Sequence, residues 1–434
     1  MDYKLSDLEV WDEKICNLAR SHGLDWHDIT YEFIDYFSMI GAMAFHGLPS
    51  HFNHWSFGKN FERTHQMYNL GMEGLPYELI INSQPSLAYM MRENPLYLQI
   101  LIMAHCVGHS DFFKNNRTFK GTRPETIVGR SRAAKKRIQN YVEDPSIGIA
   151  RVEATIDACH AVQFQIQRPG WIRRTREEII SDHRARMKES DDETELDLSR
   201  NPLEPDYDLL GFIAENGKLP DWKRDIIEVC RDEGRYFWPQ IQTKVMNEGW
   251  ASYWHYTLCH ELDLPDEMHI PFIKMHNQVV RPHIGAINPY HLGFHLFNKI
   301  KERHGIEECF LAREVCHDAA FIRQYLKRED CEELNLFSYS RKQHGDTTID
   351  DVSDEPGWEE VRNDLARQVG GGTIPILCVD EAKRNGDLVL RHEHDGRDLD
   401  EKETKAVLSH LFYLWDDRII LNTTVDGKYQ RIES

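Results

Sequence analysis

The chain lacks most of the features that mark membrane, secreted and nucleic-acid-binding proteins. Its apolar stretches, such as residues 98–104, fall far short of the roughly 20 residues a membrane-crossing helix needs. The opening Met1-Asp-Tyr-Lys-Leu-Ser-Asp-Leu-Glu9 is mixed in charge and carries no apolar signal core. Positive charge is in deficit: 52 Lys and Arg face 72 Asp and Glu, a formal net charge of −20. Bulk nucleic acid needs the opposite field. A disulfide framework is also missing. The nine cysteines are odd in number and include no Cys-x-x-Cys pair, which fits reduced thiols and a cytoplasmic location. There is no P-loop, no Gly-x-Gly-x-x-Gly after a strand and no Gly-x-Ser-x-Gly elbow, so nucleotide-binding and serine-hydrolase readings have no footing. What is present suffices for a large core: 41% of the 434 residues are hydrophobic and 11% aromatic, which excludes global disorder. At roughly 150 residues per domain, two or three domains are expected.

Helical spacing dominates the first three quarters. Leu8, Trp11, Ile15 and Leu18 recur every three or four residues, and Trp26, Ile29, Phe33 and Phe37 continue the pattern past Gly23, so residues 1–45 read as helical. A histidine- and aromatic-rich loop is expected over 46–60, a short strand over 78–83, and helix again over 95–113. Residues 114–140 hold nine Lys and Arg, which fits a solvated helix face. The stretch 168–206 reads as a charged excursion with one helix in it. Helical spacing over 221–262 is interrupted by Pro239, which should split or kink it, and a further helix is expected over 306–326. Beyond about residue 330 the texture changes to alternating strands and helices in the order ββα-ββα-ββ. The expected fold class is therefore α+β, with a large, mainly helical domain over 1–330 and a small α+β domain over 331–434.

The chemistry concentrates in His105-Cys-Val-Gly-His109. At i and i+4 on a helix the two imidazoles share a face and can point at one ion. This is the histidine spacing of His-Glu-x-x-His metallohydrolases, but Cys106 stands where those enzymes keep a general-base glutamate. Two further stripes accompany it. Glu248 and His255 lie at i and i+7 in Asn247-Glu-Gly-Trp-Ala-Ser-Tyr-Trp-His255; Glu153, Asp157 and His160 lie at i, i+4 and i+7 in a third segment. A buried carboxylate needs a cation, a metal or several donors. Taken singly, each stripe fits a polar network that fixes helix packing. Together, three helices offering acids and imidazoles suggest a divalent metal site. Mononuclear zinc leads, because the clearest pair is histidine-only; a carboxylate-bridged dinuclear site is the alternative.

Several long segments resemble the stage V sporulation protein R family. They are His54-Trp-Ser-Phe-Gly-Lys59, Tyr77-Glu-Leu-Ile-Ile-Asn-Ser83, Ala104 through Asn116, Thr243 through His255 and Ile287-Asn-Pro-Tyr290. The likeness runs into the C-terminal stretch around Leu390-Arg-His-Glu-His394. The resemblance implies a role in sporulation, in assembly of the spore-cortex peptidoglycan, and a cytoplasmic protein encoded beside a serine protein kinase and a von Willebrand-type domain protein. The Glu-Gly-Trp-Ala segment also looks like the third-ligand helix of gluzincin-like metallopeptidases. Carried over, Glu248 joins His105 and His109 as the third metal ligand. The leading expectation is a zinc-dependent hydrolase, peptidase- or amidase-like, acting on an amide in a peptide or peptidoglycan-type substrate. Glu153 would be its general base, with His255 or His160 as acid or oxyanion partner. The rival is a non-catalytic regulatory or scaffold protein working with the kinase, its metal site structural or vestigial. A di-iron carboxylate protein stands third.

Overall fold

A computed structural model describes residues 3–69, 78–167, 174–190, 196–283, 287–341, 347–352 and 357–434. The chain gathers into two compact units, each built from two separated segments: 1–133 with 238–373, and 134–237 with 374–434. The division expected at 330 groups the chain differently, because proximity assigns 331–373 to the first unit and 374–434 to the second. Independent folding of 331–434 is a separate question, answered by expressing that piece.

The first unit is organised around the helix Leu96–Asn115, whose residues from Leu98 to Phe113 are all buried. A helix that is apolar on most of its circumference belongs inside a protein, and this one is enclosed on every side. A three-stranded sheet lies against it. Ile29–Ile34 pairs in parallel with Ser86–Met91, which pairs antiparallel on its other side with Glu78–Ile81. The expectation of helix through residue 45 is thus corrected over Ile29–Ile34. There the β-branched Ile-Thr-Tyr-Glu-Phe-Ile run has a partner strand, and pairing outweighs the coincidental three-to-four spacing. The helix Trp55–Asn69 likewise begins inside the expected 46–60 loop, and the helix expected over 306–326 is two, Ile306–Val315 and Asp318–Tyr325.

The helix Lys244–Glu261 crosses Leu96–Asn115 at backbone contact. A methyl group on Gly108 would lie 2.7 Å from the Ala251 Cα, closer than real Cβ contacts allow, so only glycine lets the two helices meet there. On its other flank the same helix touches Pro289–His304, where a Cβ on Gly249 would fall 2.4 Å from the Gly293 Cα. Its N-terminus is capped from outside. Thr243 makes no side-chain cap, and the Asp318 carboxylate accepts from the backbone N–H of Val245 and Met246, both at 2.9 Å. The preceding helix, Asp221–Gln242, runs through Pro239, and the break expected at that proline falls instead at Thr243, just before this helix begins.

In the second unit a four-stranded sheet runs in the order Leu377–Ala382, Leu388–His392, Ile419–Val425, Lys428–Glu433. The middle pair is parallel, and the helix Glu401–Trp415 supplies the crossover that a parallel pair requires. With the hairpin Phe337–Arg341/Thr347–Val352 and the helix Trp358–Arg367, the element order beyond residue 330 is ββα-ββα-ββ, and the protein is α+β. Elsewhere in this unit Asp208, fully buried, receives both Arg231 and Arg235. No helix among the described residues is long and apolar enough to cross a membrane.

Candidate metal centre

His105 and His109 project from one face of Leu96–Asn115, one turn apart, and their Nε2 atoms are 2.9 Å apart. Both side chains are buried. Across the Gly108–Ala251 contact, Glu248 brings its Oε2 to 3.4 Å from His109 Nε2 and 3.8 Å from His105 Nε2. Among the described residues, this is the group of His, Cys, Asp and Glu side chains whose ligand atoms lie within 4.8 Å of one another. Glu248 Oε2 is buried and makes no hydrogen bond of good geometry, facing only the longer approaches of the two imidazoles, a position that a cation would satisfy. The donor set therefore fits a divalent ion: two imidazole nitrogens and one carboxylate oxygen, converging from two helices.

The electrostatics are those of a charged pocket without its countercharge. Burial opposes ionisation of Glu248, but the two imidazoles outweigh it and hold the carboxyl well below the usual range. Burial likewise opposes protonation of His109, yet the adjacent Glu248 raises that imidazole above its ordinary value. A second carboxylate, Glu78, sits at the start of the strand Glu78–Ile81 with its Oε1 3.8 Å from His105 Nε2. Burial pushes Glu78 up, against the pull of the two histidines. The carboxylates are the open side of the cluster: their side chains are 17% and 18% exposed, against 4% and 6% for the histidines. The Tyr290 ring stacks 6.2 Å from that of His105, and burial, with Glu248 and Glu78 nearby, keeps its hydroxyl protonated.

The outer partners of the histidines are polar and buried. His109 Nδ1 meets Asn247 Oδ1 at 2.9 Å, and His105 Nδ1 meets His255 Nδ1 at 2.9 Å. His255 is fully buried, and its Nε2 is taken by His276 Nδ1 at 2.8 Å. Both of its nitrogens are thus occupied behind His105, on the side away from the carboxylates. Cys106 faces the core with no exposed surface, and burial pushes its thiol far above the ordinary range. Glu153 and His160 are half-buried on the helix Ile149–Ala161 of the other compact unit, and neither belongs to the converging group. Glu78, Tyr290 and His276 were not anticipated as a set. The available signal for Glu78 was an acidic residue opening an otherwise apolar, β-branched run.

An α-rich scaffold carrying a buried His-His-Glu cluster able to hold a metal ion defines the class. Comparison then places the chain more narrowly. Residues 2–374 match the family described as SpoVR like protein, and residues 374–426 match the SpoVR-like C-terminal domain. The chain belongs to the SpoVR family. It is 31% identical over 485 aligned positions to the uncharacterized protein YcgB of Escherichia coli (strain K12), covering all of this chain and 95% of that one. No solved structure matches.

Proposed function

We propose that the protein is a zinc-dependent hydrolase acting on an amide, with His105, His109 and Glu248 as the metal ligands. The observation that carries this reading is the convergence of three buried ligand atoms, two imidazole nitrogens and one carboxylate oxygen, within 4.8 Å of one another. A divalent ion held there supplies Lewis-acid polarisation of a substrate carbonyl. The chain's own groups do the rest. Glu78 lies beside His105 on the exposed side and is the nearest group able to accept or return a proton, a role sequence reasoning gave to Glu153. The Tyr290 hydroxyl, kept protonated, is a donor for developing negative charge. A peptide or peptidoglycan-type amide, a cytoplasmic location, a role in spore-cortex assembly and a partnership with a serine protein kinase and a von Willebrand-type domain protein follow from family resemblance and complete the proposal.

The second reading, a scaffold with a structural metal, rests on the same Glu78. If that carboxylate joins the other three as a fourth protein ligand, the coordination shell closes and no position is left for substrate. Elemental analysis of purified protein, followed by amide-hydrolysis assays on peptides and muropeptides, separates the readings. Bound zinc with turnover supports the hydrolase. Bound zinc without turnover on any amide supports the scaffold, and two irons per chain would support the dinuclear alternative.

A further inference from the structure

His109, His105, His255 and His276 form an unbroken file of imidazoles, two rings longer than a His-His-Glu site requires. The contacts are 2.9 Å between the Nε2 atoms of His109 and His105, 2.9 Å between the Nδ1 atoms of His105 and His255, and 2.8 Å from His255 Nε2 to His276 Nδ1. All four rings are buried, and His276 is wedged among Tyr256, Phe272 and Phe294.

A neutral imidazole has one N–H and one bare nitrogen, so each contact sets the direction of the next. Asn247 Oδ1 can only accept, so His109 carries its hydrogen on Nδ1 and leaves Nε2 bare. With His109 neutral and no metal bound, His105 donates from Nε2 to His109. Its bare Nδ1 accepts from His255 Nδ1–H, and His255 Nε2 accepts from His276 Nδ1–H. Every contact is satisfied with one hydrogen per ring. An ion needs both Nε2 lone pairs, so His105 must give up the hydrogen on Nε2 and carry one on Nδ1. The contact with His255 then reverses: His255 Nδ1 accepts, its hydrogen moves to Nε2, and His276 Nδ1 accepts in turn. One proton leaves at His105 Nε2 and one enters at His276 Nε2, so all four rings stay neutral and the count balances.

On the reading that His105, His109 and Glu248 hold a divalent ion, we propose that His255 and His276 are positioning residues that set the tautomer of His105 and reverse their own when the ion binds. A carboxylate or carbonyl behind a metal-ligating histidine accepts only, and locks a single tautomer. An imidazole can either accept or donate, so the same file is satisfied in the empty and the loaded state.

The test is a zinc titration of the full chain against a competing chelator, with the histidine tautomers read by nitrogen-15 NMR after selective labelling and assigned through His255→Gln and His276→Gln. Zinc is expected to move the His276 hydrogen from Nδ1 to Nε2. His255→Leu should weaken zinc binding by about 10–100-fold, and His255→Gln, whose amide oxygen accepts from His105 Nδ1–H, should regain most of it. Zinc uptake with unchanged His255 and His276 tautomers, or wild-type affinity in a folded His255→Leu protein, overturns the positioning role while the metal site stands. If the leucine variant does not fold, the glutamine variant and the wild-type tautomers still decide. A wild-type chain that takes up no zinc overturns the metal reading and this inference with it.

Discussion

The helices Leu96–Asn115 and Ile149–Ala161 each carry a stripe of candidate ligands that opens on an i, i+4 pair, yet of these two only the first joins a converging cluster. On Leu96–Asn115, His105 and His109 sit in a fully buried turn, and Gly108 between them admits the backbone of Lys244–Glu261. On Ile149–Ala161, the stripe of Glu153, Asp157 and His160 is half-buried and lies outside the converging group. Helical periodicity states which side chains share a face. Whether that face meets donors from another element depends on how closely the other backbone can approach. Here a residue with no side chain decides it.

The comparison breaks most sharply at the ligands. His105→Ala and Glu248→Ala are each expected to abolish bound metal, while Lys136→Ala on the surface leaves it intact. A folded variant of either ligand with full occupancy by elemental analysis would remove that residue from the set. Next in size is Gly108→Ala, whose methyl must displace the Ala251 backbone. A loss of about 1–3 kcal/mol is expected in urea unfolding, together with weakened metal binding, and an unchanged midpoint would show that the close approach is not needed. Asp318→Ala removes the acceptor for two amides at the start of the Glu248 helix. It should cost about 0.5–2 kcal/mol, with metal affinity falling alongside stability.

The second unit offers a pH contrast. Burial alone would raise Asp208, but Arg231 and Arg235 outweigh it and hold the carboxyl below its ordinary value. A depressed folded pKa means that the native state binds fewer protons than the unfolded chain. The contribution is therefore complete above an unfolded pKa of about 3.9 and is lost as pH falls through the lower folded value. Asp208→Asn should flatten that acid limb, as read by circular dichroism below about pH 4. The smallest effect expected is at Glu153. Glu153→Gln should leave metal content unchanged and stability within about 0.5 kcal/mol, whereas Glu78→Gln should abolish any amide turnover. Loss of turnover with metal retained in Glu153→Gln would return the general-base role to that residue.

Much of the candidate site was legible because its ligands lie on helices. The i, i+4 pair His105/His109 and the position of Glu248 need only local spacing, and the ββα-ββα-ββ order beyond residue 330 was readable from strand-length apolar runs. Glu78 was not legible as a partner. It reaches His105 only because the strand Glu78–Ile81 adds to the edge of a sheet whose centre, Ser86–Met91, also pairs in parallel with Ile29–Ile34. That parallel pairing is non-local, and the spacing of Ile29 and Phe33 mimicked a helix. His255 was singled out, but its role depends on His276, which sits on another helix and joins it by a single contact.

The double backbone contact of the Lys244–Glu261 helix, at Ala251 on one flank and Gly249 on the other, makes it a keyed shaft. Sliding by a turn, about 5.4 Å, or rotating by one residue, about 100°, would drive a side chain into a neighbouring main chain on both sides at once. Glu248 therefore arrives at the histidines in one registry fixed before any ion does. Ion binding then has little helix rearrangement to drive, so its free energy is retained as affinity. For an engineer, the practical reach of the site is its carboxylate rim, since the axis carrying Glu248 cannot be retuned without rebuilding both seams.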